Sequence, residues 1–159
     1  MSIQKVREYF QKFGMEDRVL EFNLSSATVE LAAIAVGTAP ERIAKTLSFK
    51  AGDGYILILC AGDAKIDNRK FKDYFGFKAK MPSPDEVLEN IGHAVGGVCP
   101  FAIKDGIDVY LDVSMQRFET VFPTAGSSNS AIELNLEELY KYSVAKCWID
   151  VCKLPEVEV

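Results

Sequence analysis

Two apolar runs joined by a short glycine-containing turn constrain the fold of this chain more than any other feature. The runs cover residues 44–50 and 55–60, and Ala51-Gly52-Asp53-Gly54 lies between them. Each run has the length and apolar content of a strand, and glycine supplies the positive φ that a tight hairpin turn needs. The sequence therefore predicts an antiparallel β-hairpin whose last residue, Cys60, lies in the core.

Helix signals are spread along the rest of the chain. The clearest is Ser83-Pro84-Asp85-Glu86, which combines a capping residue, a proline at the first helical position and a glutamate at the third. Further helices are predicted over residues 3–13, from Ser25 or Ser26 to Gly37, from Asp67 to Gly76, and after the capping pair Asn135 and Glu138. Further strands are predicted at 18–22, 109–113, 119–124, 131–134 and 147–151. Because these elements include hairpins and do not alternate as βαβ units, we predict an α+β fold with a mixed, strongly curved sheet.

Length and charge limit the classes of protein to which the chain can belong. Its 159 residues fit one domain spanning 1–159, and 48% apolar residues with a net charge of only −5 exclude a disordered protein. No apolar run approaches the roughly 20 residues of a membrane helix, and the N-terminus has no signal core, so we expect a cytoplasmic protein without a membrane partner. The four cysteines form no C-x-x-C pair, which favours reduced thiols and leaves a disulfide between distant positions open.

The segment from Gly92 to Phe101 is the most unusual part of the sequence. It contains the adjacent glycines Gly96 and Gly97 and a proline, Pro100, and this combination fixes a loop. Such a loop permits the close approach of a ligand, and its free amide N–H groups can hold a carbonyl oxygen or an oxyanion. A plain turn between a helix and a strand is the alternative interpretation.

Cys99 and His93 lie in the same loop and allow another interpretation. A thiol can act as a nucleophile when a histidine serves as its base. The sequence offers no third residue to orient the histidine, and a free cysteine is more often a small buried apolar residue. His93 is the only histidine and has no companions at metal-ligand spacing, so no metal site is predicted.

Two sets of cationic side chains are candidates for binding an anion. Lys45, near the start of the first hairpin strand, is either a solvated lysine or a point charge for a phosphate or a carboxylate. Residues 65–80 contain six basic and two acidic residues, which gives this segment a net charge of +4 against −9 for the remainder. The segment predicts either a surface that binds nucleic acid, through Lys65, Arg69, Lys70 and Lys72, or an ordinary solvated helix face.

Several of these segments, taken in order, resemble a known family. They are Ile43-Ala44-Lys45-Thr46-Leu47, Gly62-Asp63, Gly92-His93 with Gly96–Phe101, Tyr110-Leu111-Asp112, and Ala125-Gly126-Ser127 followed by Ala131–Leu134. From about Ser26 to Leu139 the chain is similar to the YbaK-type aminoacyl-tRNA deacylases and to the editing insertion domain of bacterial prolyl-tRNA synthetase. The loop at 126–130 lacks the basic residues of the Cys-tRNA(Pro) deacylases, so the edited amino acid is left open.

The resemblance implies a sheet that curves toward a barrel with helices around it, and hydrolysis of the ester between a wrong amino acid and a tRNA. The expected substrate is tRNA(Pro) carrying cysteine, alanine or a similarly small amino acid. The expected partners are tRNA and, optionally, a cognate aminoacyl-tRNA synthetase, and no cofactor or metal is implied. The implied catalytic groups are Lys45, Gly96 and Gly97. The implied substrate-binding residues are Thr46, His93, Val98, Cys99, Pro100, Asp112, Gly126 and Ser127.

The residues leave two other functions open. One is a non-catalytic module that keeps the fold and either binds tRNA or has a regulatory role. The other is a thiol hydrolase that uses Cys99 and His93 and that alkylation would inhibit. Because an aminoacyl ester is already activated, binding geometry and oxyanion stabilisation suffice to hydrolyse it. The deacylase is therefore the leading prediction.

Overall fold

The computed structural model describes residues 2–23 and 28–155. Within these ranges the helices are α1 (Ser2–Gln11), α2 (Val29–Val36), α3 (Asn68–Phe75), α4 (Pro84–Asn90) and α5 (Leu136–Tyr142). The strands are β1 (Val19–Glu21), β2 (Ile43–Ala51), β3 (Gly54–Ala61), β4 (Lys65–Ile66), β5 (Asp108–Asp112), β6 (Thr120–Pro123), β7 (Ser130–Ile132), β8 (Leu134–Asn135), β9 (Cys147–Ile149) and β10 (Cys152–Lys153). None of the described helices is long and apolar enough to cross a bilayer.

A six-stranded sheet in the order β8-β6-β2-β3-β5-β9 curls as a half-barrel and forms the centre of the fold. β2 and β3 form the predicted antiparallel hairpin, and Gly52 in its turn has a φ of +58°. Two smaller antiparallel sheets pair β1 with β7 and β4 with β10. The predicted α+β class with a mixed, curved sheet is confirmed.

Three neighbouring strand pairs in the large sheet are parallel, and the sequence did not predict which strands they join. β2 pairs with β6, β3 with β5, and β5 with β9. The chain passes from β3 to β5 through β4, α3 and α4, and from β5 to β9 through β6, β7, β8 and α5. Parallel neighbours are joined by long connections, and local patterns in the sequence do not contain this pairing.

The structure divides the predicted strand at 131–134, and it ends the predicted strand at 147–151 early and adds a short strand after it. Glu133 separates β7 from β8, and its carboxylate accepts a hydrogen bond from the Thr120 hydroxyl (2.7 Å). Asp150 and Val151 separate β9 from β10, and the Val151 N–H donates to the carboxylate of Asp112 (2.9 Å). At Glu133 the chain passes from the small sheet, where β7 pairs with β1, into the large sheet, and after β9 it leaves the large sheet so that β10 pairs with β4.

The helices begin at capping residues, most of them as predicted. α4 and α5 start with the predicted capping boxes, and α3 starts at the predicted cap Asp67. The predicted caps of α2, Ser25 and Ser26, lie outside the described residues. Thr28 caps α2 instead, because its Oγ1 accepts a hydrogen bond from the Leu31 N–H (3.1 Å). Such a cap contributes about 1 kcal/mol and fixes the start of α2.

One hydrophobic cluster holds the helices against the large sheet. Phe10 of α1 is fully buried and meets Phe101 edge to face, with ring centroids 4.8 Å apart. Phe71 of α3 is also fully buried, and its ring centroid lies 5.0 Å from that of Phe49 in β2. Burial of a side chain of this size contributes about 1.5–3 kcal/mol, so α1 and α3 are anchored to the sheet.

Candidate active site

A cleft of about 430 Å³ opens beside β2. Its walls are β2, the first turn of α2, the segment from residue 81 to 87 and the loop from residue 95 to 98. The predicted site residues Lys45, Thr46, Gly96 and Val98 all line this cleft. The structure thus brings Lys45 and residues 95–98, called the glycine loop below, to one place, although they lie about 50 residues apart in the sequence.

Lys45 is the only charged side chain among the described residues that line the cleft. It is partly exposed, and its ammonium group has no hydrogen-bond or ion-pair partner in the described part of the chain. Lys50, on the same strand, is by contrast paired with Glu86 (3.1 Å). The Lys45 ammonium is therefore available to bind an anionic group of a ligand.

The glycine loop presents its main chain differently from the prediction. The N–H of Gly97 donates to the carbonyl oxygen of Ala94 (2.9 Å), so this group is not free for a ligand. The N–H groups of Gly96 and Val98 make no hydrogen bond to any residue in the described ranges, and both residues line the cleft. Gly96 and Val98 are therefore the candidate donors to a carbonyl oxygen or an oxyanion.

Gly97 has a steric role in packing two loops together. A Cβ on this residue would lie 2.7 Å from the carbonyl oxygen of Gly126 and 2.8 Å from the Cα of Ser127, which is closer than real Cβ atoms approach. The positive φ in this loop belongs to Gly96, at +97°, and not to Gly97. The close approach that the sequence suggested for a ligand is thus made by the protein's own backbone.

Gly126 and Ser127 lie behind the glycine loop and do not line the cleft. Gly126 has a φ of +96°, and a Cβ there would lie 2.7 Å from the carbonyl oxygen of Ser2. The Ser127 hydroxyl lies 2.9 Å from the Ser130 hydroxyl. The two predicted substrate-binding residues therefore fix the position of Gly97 from behind.

Thr124 lines the cleft, although no sequence pattern pointed to it. β2 and β6 pair in parallel at Ala44 and Pro123, which brings the following residues, Lys45 and Thr124, next to each other. The Thr124 hydroxyl donates to the carbonyl oxygen of Val98 (2.9 Å) and ties the end of β6 to the glycine loop. A threonine that ends a strand before a glycine-containing loop was the available signal, but only the parallel pairing shows where that end lies.

His93 and Cys99 are buried behind the glycine loop and do not line the cleft. Nε2 of His93 lies 2.7 Å from the carbonyl oxygen of Phe101 and 3.6 Å from Sγ of Cys99. Burial lowers the pKa of His93, so the ring is neutral at pH 7 and donates from Nε2 to that carbonyl. Burial raises the pKa of the Cys99 thiol to about 12. A nucleophilic thiol needs a lowered pKa and access to its substrate, so the geometry gives no support to a thiol hydrolase.

We expect iodoacetamide at pH 7.5 to spare Cys99 in the folded protein. With a pKa of about 12, Cys99 forms roughly 3,000-fold less thiolate than an ordinary cysteine, whose pKa is about 8.5, and the side chain is fully buried. Peptide mass spectrometry should find Cys147 modified first, because it is the partly exposed member of the four free cysteines. Rapid modification of Cys99 with parallel loss of activity would support the thiol mechanism instead.

Two further residues predicted to bind substrate lie away from the cleft. Pro100 lines a different cleft, of about 580 Å³, between α1 and the segment from residue 102 to 109. Asp112 is buried, and its carboxylate accepts hydrogen bonds from the N–H groups of Ser114 and Val151, both at 2.9 Å. Asp112 thereby joins β5 to the chain before β10, and its position gives no support to a substrate contact.

Metal ligands are not grouped in the described part of the chain, where no three His, Cys, Asp or Glu side chains could hold one ion. The described side chains that line the cleft include no carboxylate, thiol or imidazole. These are the side chains that usually ligate Zn²⁺ and Mg²⁺, and the cleft instead offers a lysine, hydroxyls and main-chain groups.

The residues predicted to bind tRNA lie on β4 and α3, outside the cleft. Lys65, Arg69 and Lys72 are exposed, and their side chains have no partner among the described residues. Lys70 is engaged, because its ammonium donates to the carboxylate of Asp150 (3.2 Å) and to a carbonyl oxygen of β10 (3.0 Å). Three of the four side chains are therefore available for a polyanion.

A second basic pair connects this surface to the cleft. Lys78 and Lys80 are exposed, and the next residues, Met81 and Pro82, line the cleft. The carbonyl oxygen of Lys80 accepts a hydrogen bond from the Lys50 N–H (2.8 Å), which holds this segment against β2. A phosphate bound at residues 78–80 would therefore lie beside the mouth of the cleft.

Known proteins resemble this chain over the whole region that forms the cleft. The family model of the aminoacyl-tRNA editing domain matches residues 25–142, a range that contains every residue that lines the cleft. The uncharacterized protein YwhH of Bacillus subtilis is 58% identical over 154 residues, which cover 96% of this chain and 98% of YwhH.

A prolyl-tRNA synthetase and a solved structure associated with such synthetases also match this chain. The proline–tRNA ligase of Thermosipho melanesiensis is 33% identical over 91 residues, which cover 57% of this chain but only 16% of the ligase. The crystal structure of a proposed trans-editing enzyme for prolyl-tRNA synthetase has a TM-score of 0.86 at 27% identity. That match covers 96% of this chain and 97% of the other protein.

Proposed function

Because this chain belongs to the aminoacyl-tRNA editing domain family, we propose that it is a free-standing hydrolase that cleaves the ester of mischarged aminoacyl-tRNA in trans. The observation that carries the proposal is the cleft, which is lined by one lysine and two main-chain N–H groups that have no partner among the described residues. Ester hydrolysis needs stabilisation of a developing oxyanion, and these groups are of the kind that supplies it.

The proposed reaction uses no nucleophile from the protein. The oxygen of a water molecule adds to the ester carbonyl carbon, the bond from that carbon to the ribose oxygen breaks, and the ribose oxygen takes up the proton that the water loses. The N–H groups of Gly96 and Val98 stabilise the oxyanion, and the Lys45 ammonium adds a positive charge. Since the described lining contains no imidazole or carboxylate, the neighbouring hydroxyl of the ribose is the group left to relay the proton.

Small amino acids suit the proposed cleft. Its walls carry short apolar side chains, among them Val29, Ala32 and Val87. A pocket that admits small side chains can act as the second sieve where a synthetase cannot reject them. The matches to proline–tRNA ligase and to a trans-editing relative support tRNA(Pro) as the tRNA, and we propose alanine or cysteine as the amino acid because both are small.

A deacylation screen tests this function. The purified protein is mixed with Ala-, Cys- and Ser-tRNA(Pro), and the aminoacyl-tRNA that remains is measured over time against a reaction without protein. We expect at least one ester to be hydrolysed about 100-fold faster than in buffer. Tight binding of tRNA(Pro) without hydrolysis of any of the three would favour the non-catalytic tRNA-binding module.

The proposed tRNA surface runs over α3 toward the cleft. Lys65, Arg69 and Lys72 form its outer part, and Lys78 and Lys80 form the part beside the cleft mouth. Side chains that neutralise phosphates release counterions, which makes such binding dependent on salt. The acceptor end would enter the cleft while the phosphates behind it lie on these residues.

Charge reversal of Arg69 and Lys72 to glutamate should weaken tRNA binding and flatten its dependence on salt. Each lost phosphate contact lowers the slope of log K against log salt by about 0.7–0.9. A salt titration of the Kd for tRNA(Pro) measures this change. The matched control is Lys12→Glu with Lys141→Glu; Lys12 lies directly after α1, Lys141 lies on α5, and neither residue lines the cleft. An equal loss of affinity in both double variants would remove the proposed surface.

Location and partners follow from this function. Charged tRNA is made and consumed in the cytoplasm, so we propose that the protein acts there. Aminoacylated tRNA is its direct partner, and prolyl-tRNA synthetase is a partner that the reaction does not require.

A further inference from the structure

The outer edge of β2 is open where the strand lines the cleft. β2 pairs with β6 only as far as Ala44, and farther along the N–H of Lys50 donates to the carbonyl oxygen of Lys80 (2.8 Å). Between these two points no described residue pairs with the outer edge. Main-chain groups alternate in direction along a strand, so those of Thr46 and Ser48 point outward, as those of Lys50 do.

These outward groups belong to the cleft. Residues 45–48 all line it, which is expected where a strand presents its edge rather than one face. On its inner side the same strand is paired with β3 without a break, from Ala44 to Ala51. The two outward residues span about 7 Å of the edge and offer two N–H donors and two carbonyl acceptors. Main-chain polar groups in a cleft are costly unless water or a ligand bonds to them.

The charges of the cleft determine which ligand group suits these carbonyl oxygens. An aminoacyl ester carries an α-amino group. Because α-amino groups have pKa values of about 7.7–8.0, this group is mostly protonated, and therefore cationic, at pH 7. The described lining contains no carboxylate to bind this cation, and its single charged side chain, Lys45, repels it. The carbonyl oxygens of Thr46 and Ser48, on the strand that carries Lys45, have no partner among the described residues, and they can bind an ammonium group by charge-assisted hydrogen bonds.

We propose that the open edge of β2 is the subsite for the substrate's α-ammonium group, which the main-chain carbonyl oxygens of Thr46 and Ser48 hold. This inference rests on the proposed deacylase function and narrows its substrate class. The protein accepts esters with a free α-ammonium group and discriminates against N-acylated aminoacyl esters and α-hydroxy acid esters. Binding at the edge also orients the ester carbonyl relative to the N–H groups of Gly96 and Val98.

Esters that differ only at the α position test the subsite. The protein is given whichever of Ala-, Cys- and Ser-tRNA(Pro) it hydrolyses fastest, together with the N-acetylated form and the α-hydroxy form made by deamination. We expect kcat/KM, corrected for hydrolysis in buffer, to fall at least about 10-fold for both modified esters. Equal values for the three esters would overturn the subsite and leave the deacylase function standing. If none of the three aminoacyl esters is hydrolysed, the proposed function fails and the subsite fails with it.

Two side-chain variants test whether the main-chain carbonyl oxygens or the neighbouring hydroxyls bind the ammonium group. The Thr46 hydroxyl is buried without a hydrogen-bond partner among the described residues, so it is the competing acceptor. Thr46→Val and Ser48→Ala each remove a hydroxyl and keep the outward carbonyl. The overall rates of the two variants can change. The ratio of kcat/KM for the aminoacyl ester to that for the α-hydroxy ester should stay within about threefold of its value in the unmodified protein. Loss of this preference in either variant would assign the ammonium group to a hydroxyl and overturn the main-chain subsite.

Discussion

Replacing Gly97 by valine should lower kcat/KM for a mischarged tRNA by about 100-fold or more. The new Cβ would lie 2.7 Å from the carbonyl oxygen of Gly126, and Gly126 is itself packed against the backbone of Ser2. The glycine loop must therefore shift, and it carries the N–H groups of Gly96 and Val98 with it. A displacement of about 1 Å at a reacting centre costs about 100-fold in rate. Overpacking of this kind costs about 1–3 kcal/mol of stability, so the variant remains testable for folding by thermal unfolding.

Two further variants control for this effect. Gly54→Val adds the same side chain at a glycine without positive φ, where the nearest atom to a Cβ is 3.7 Å away, and it should keep activity. Cys99→Ser should also keep most activity, because Cys99 does not line the cleft and a hydroxyl there can donate to the Phe101 carbonyl. An inactive Cys99→Ser beside an active Gly97→Val would contradict the main-chain mechanism and restore the thiol mechanism.

Lys45→Ala should lower the deacylation rate by about 100- to 1,000-fold and leave the fold intact. The side chain supplies the only charge among the described residues that line the cleft, and loss of one group that stabilises an oxyanion costs rate on this scale. The lysine is partly exposed and has no partner in the described ranges, so the free energy of unfolding should change by only about 0.5 kcal/mol. Single-turnover kinetics and thermal unfolding of the same preparation measure both quantities.

Lys50→Ala is the matched control for Lys45→Ala. Lys50 lies on the same strand but does not line the cleft, and its exposed ion pair with Glu86 contributes at most about 1 kcal/mol. This variant should retain nearly full activity. A folded Lys45→Ala protein with full activity would remove Lys45 from the mechanism.

The elements that the sequence predicted well are those set by neighbouring residues. The hairpin of β2 and β3 depends on two apolar runs and a glycine turn, and the capping box of Ser83 and Glu86 depends on residues three positions apart. Both are local interactions that a sequence displays directly. The parallel pairing of β2 with β6 joins residues about 80 positions apart and has no local signal.

The same distinction applies to the candidate site. The residues themselves marked Lys45 and the glycine loop as candidates, the resemblance gave them a catalytic role, and the structure places both at the cleft. Thr124 was missed because only the parallel pairing brings it beside Lys45. The role of Gly97 was misjudged because its steric partner, Gly126, lies in another loop, and the contact between them appears only in the folded chain.

Buried polar residues were the hardest to interpret from the sequence. Asp112 belongs to a motif of the resemblance, yet in the structure its carboxylate binds two main-chain N–H groups away from the cleft. His93 and Cys99 also lie in a motif, and both are buried behind the loop. A motif shows which residue type occupies a position but not what its side chain contacts. A buried polar residue in a motif can make a structural hydrogen bond as well as a substrate contact.

The discrimination between two charged forms of one tRNA tests the central claim most directly. Mischarged tRNA(Pro), carrying the amino acid selected by the screen, and correctly charged Pro-tRNA(Pro) are each mixed with excess protein, and the single-turnover rates are compared. An editing hydrolase should cleave the mischarged form about 100-fold faster than Pro-tRNA(Pro), and Lys45→Ala should abolish that rate. Equal rates on the two forms, or rates no higher than in buffer, would contradict the proposed function.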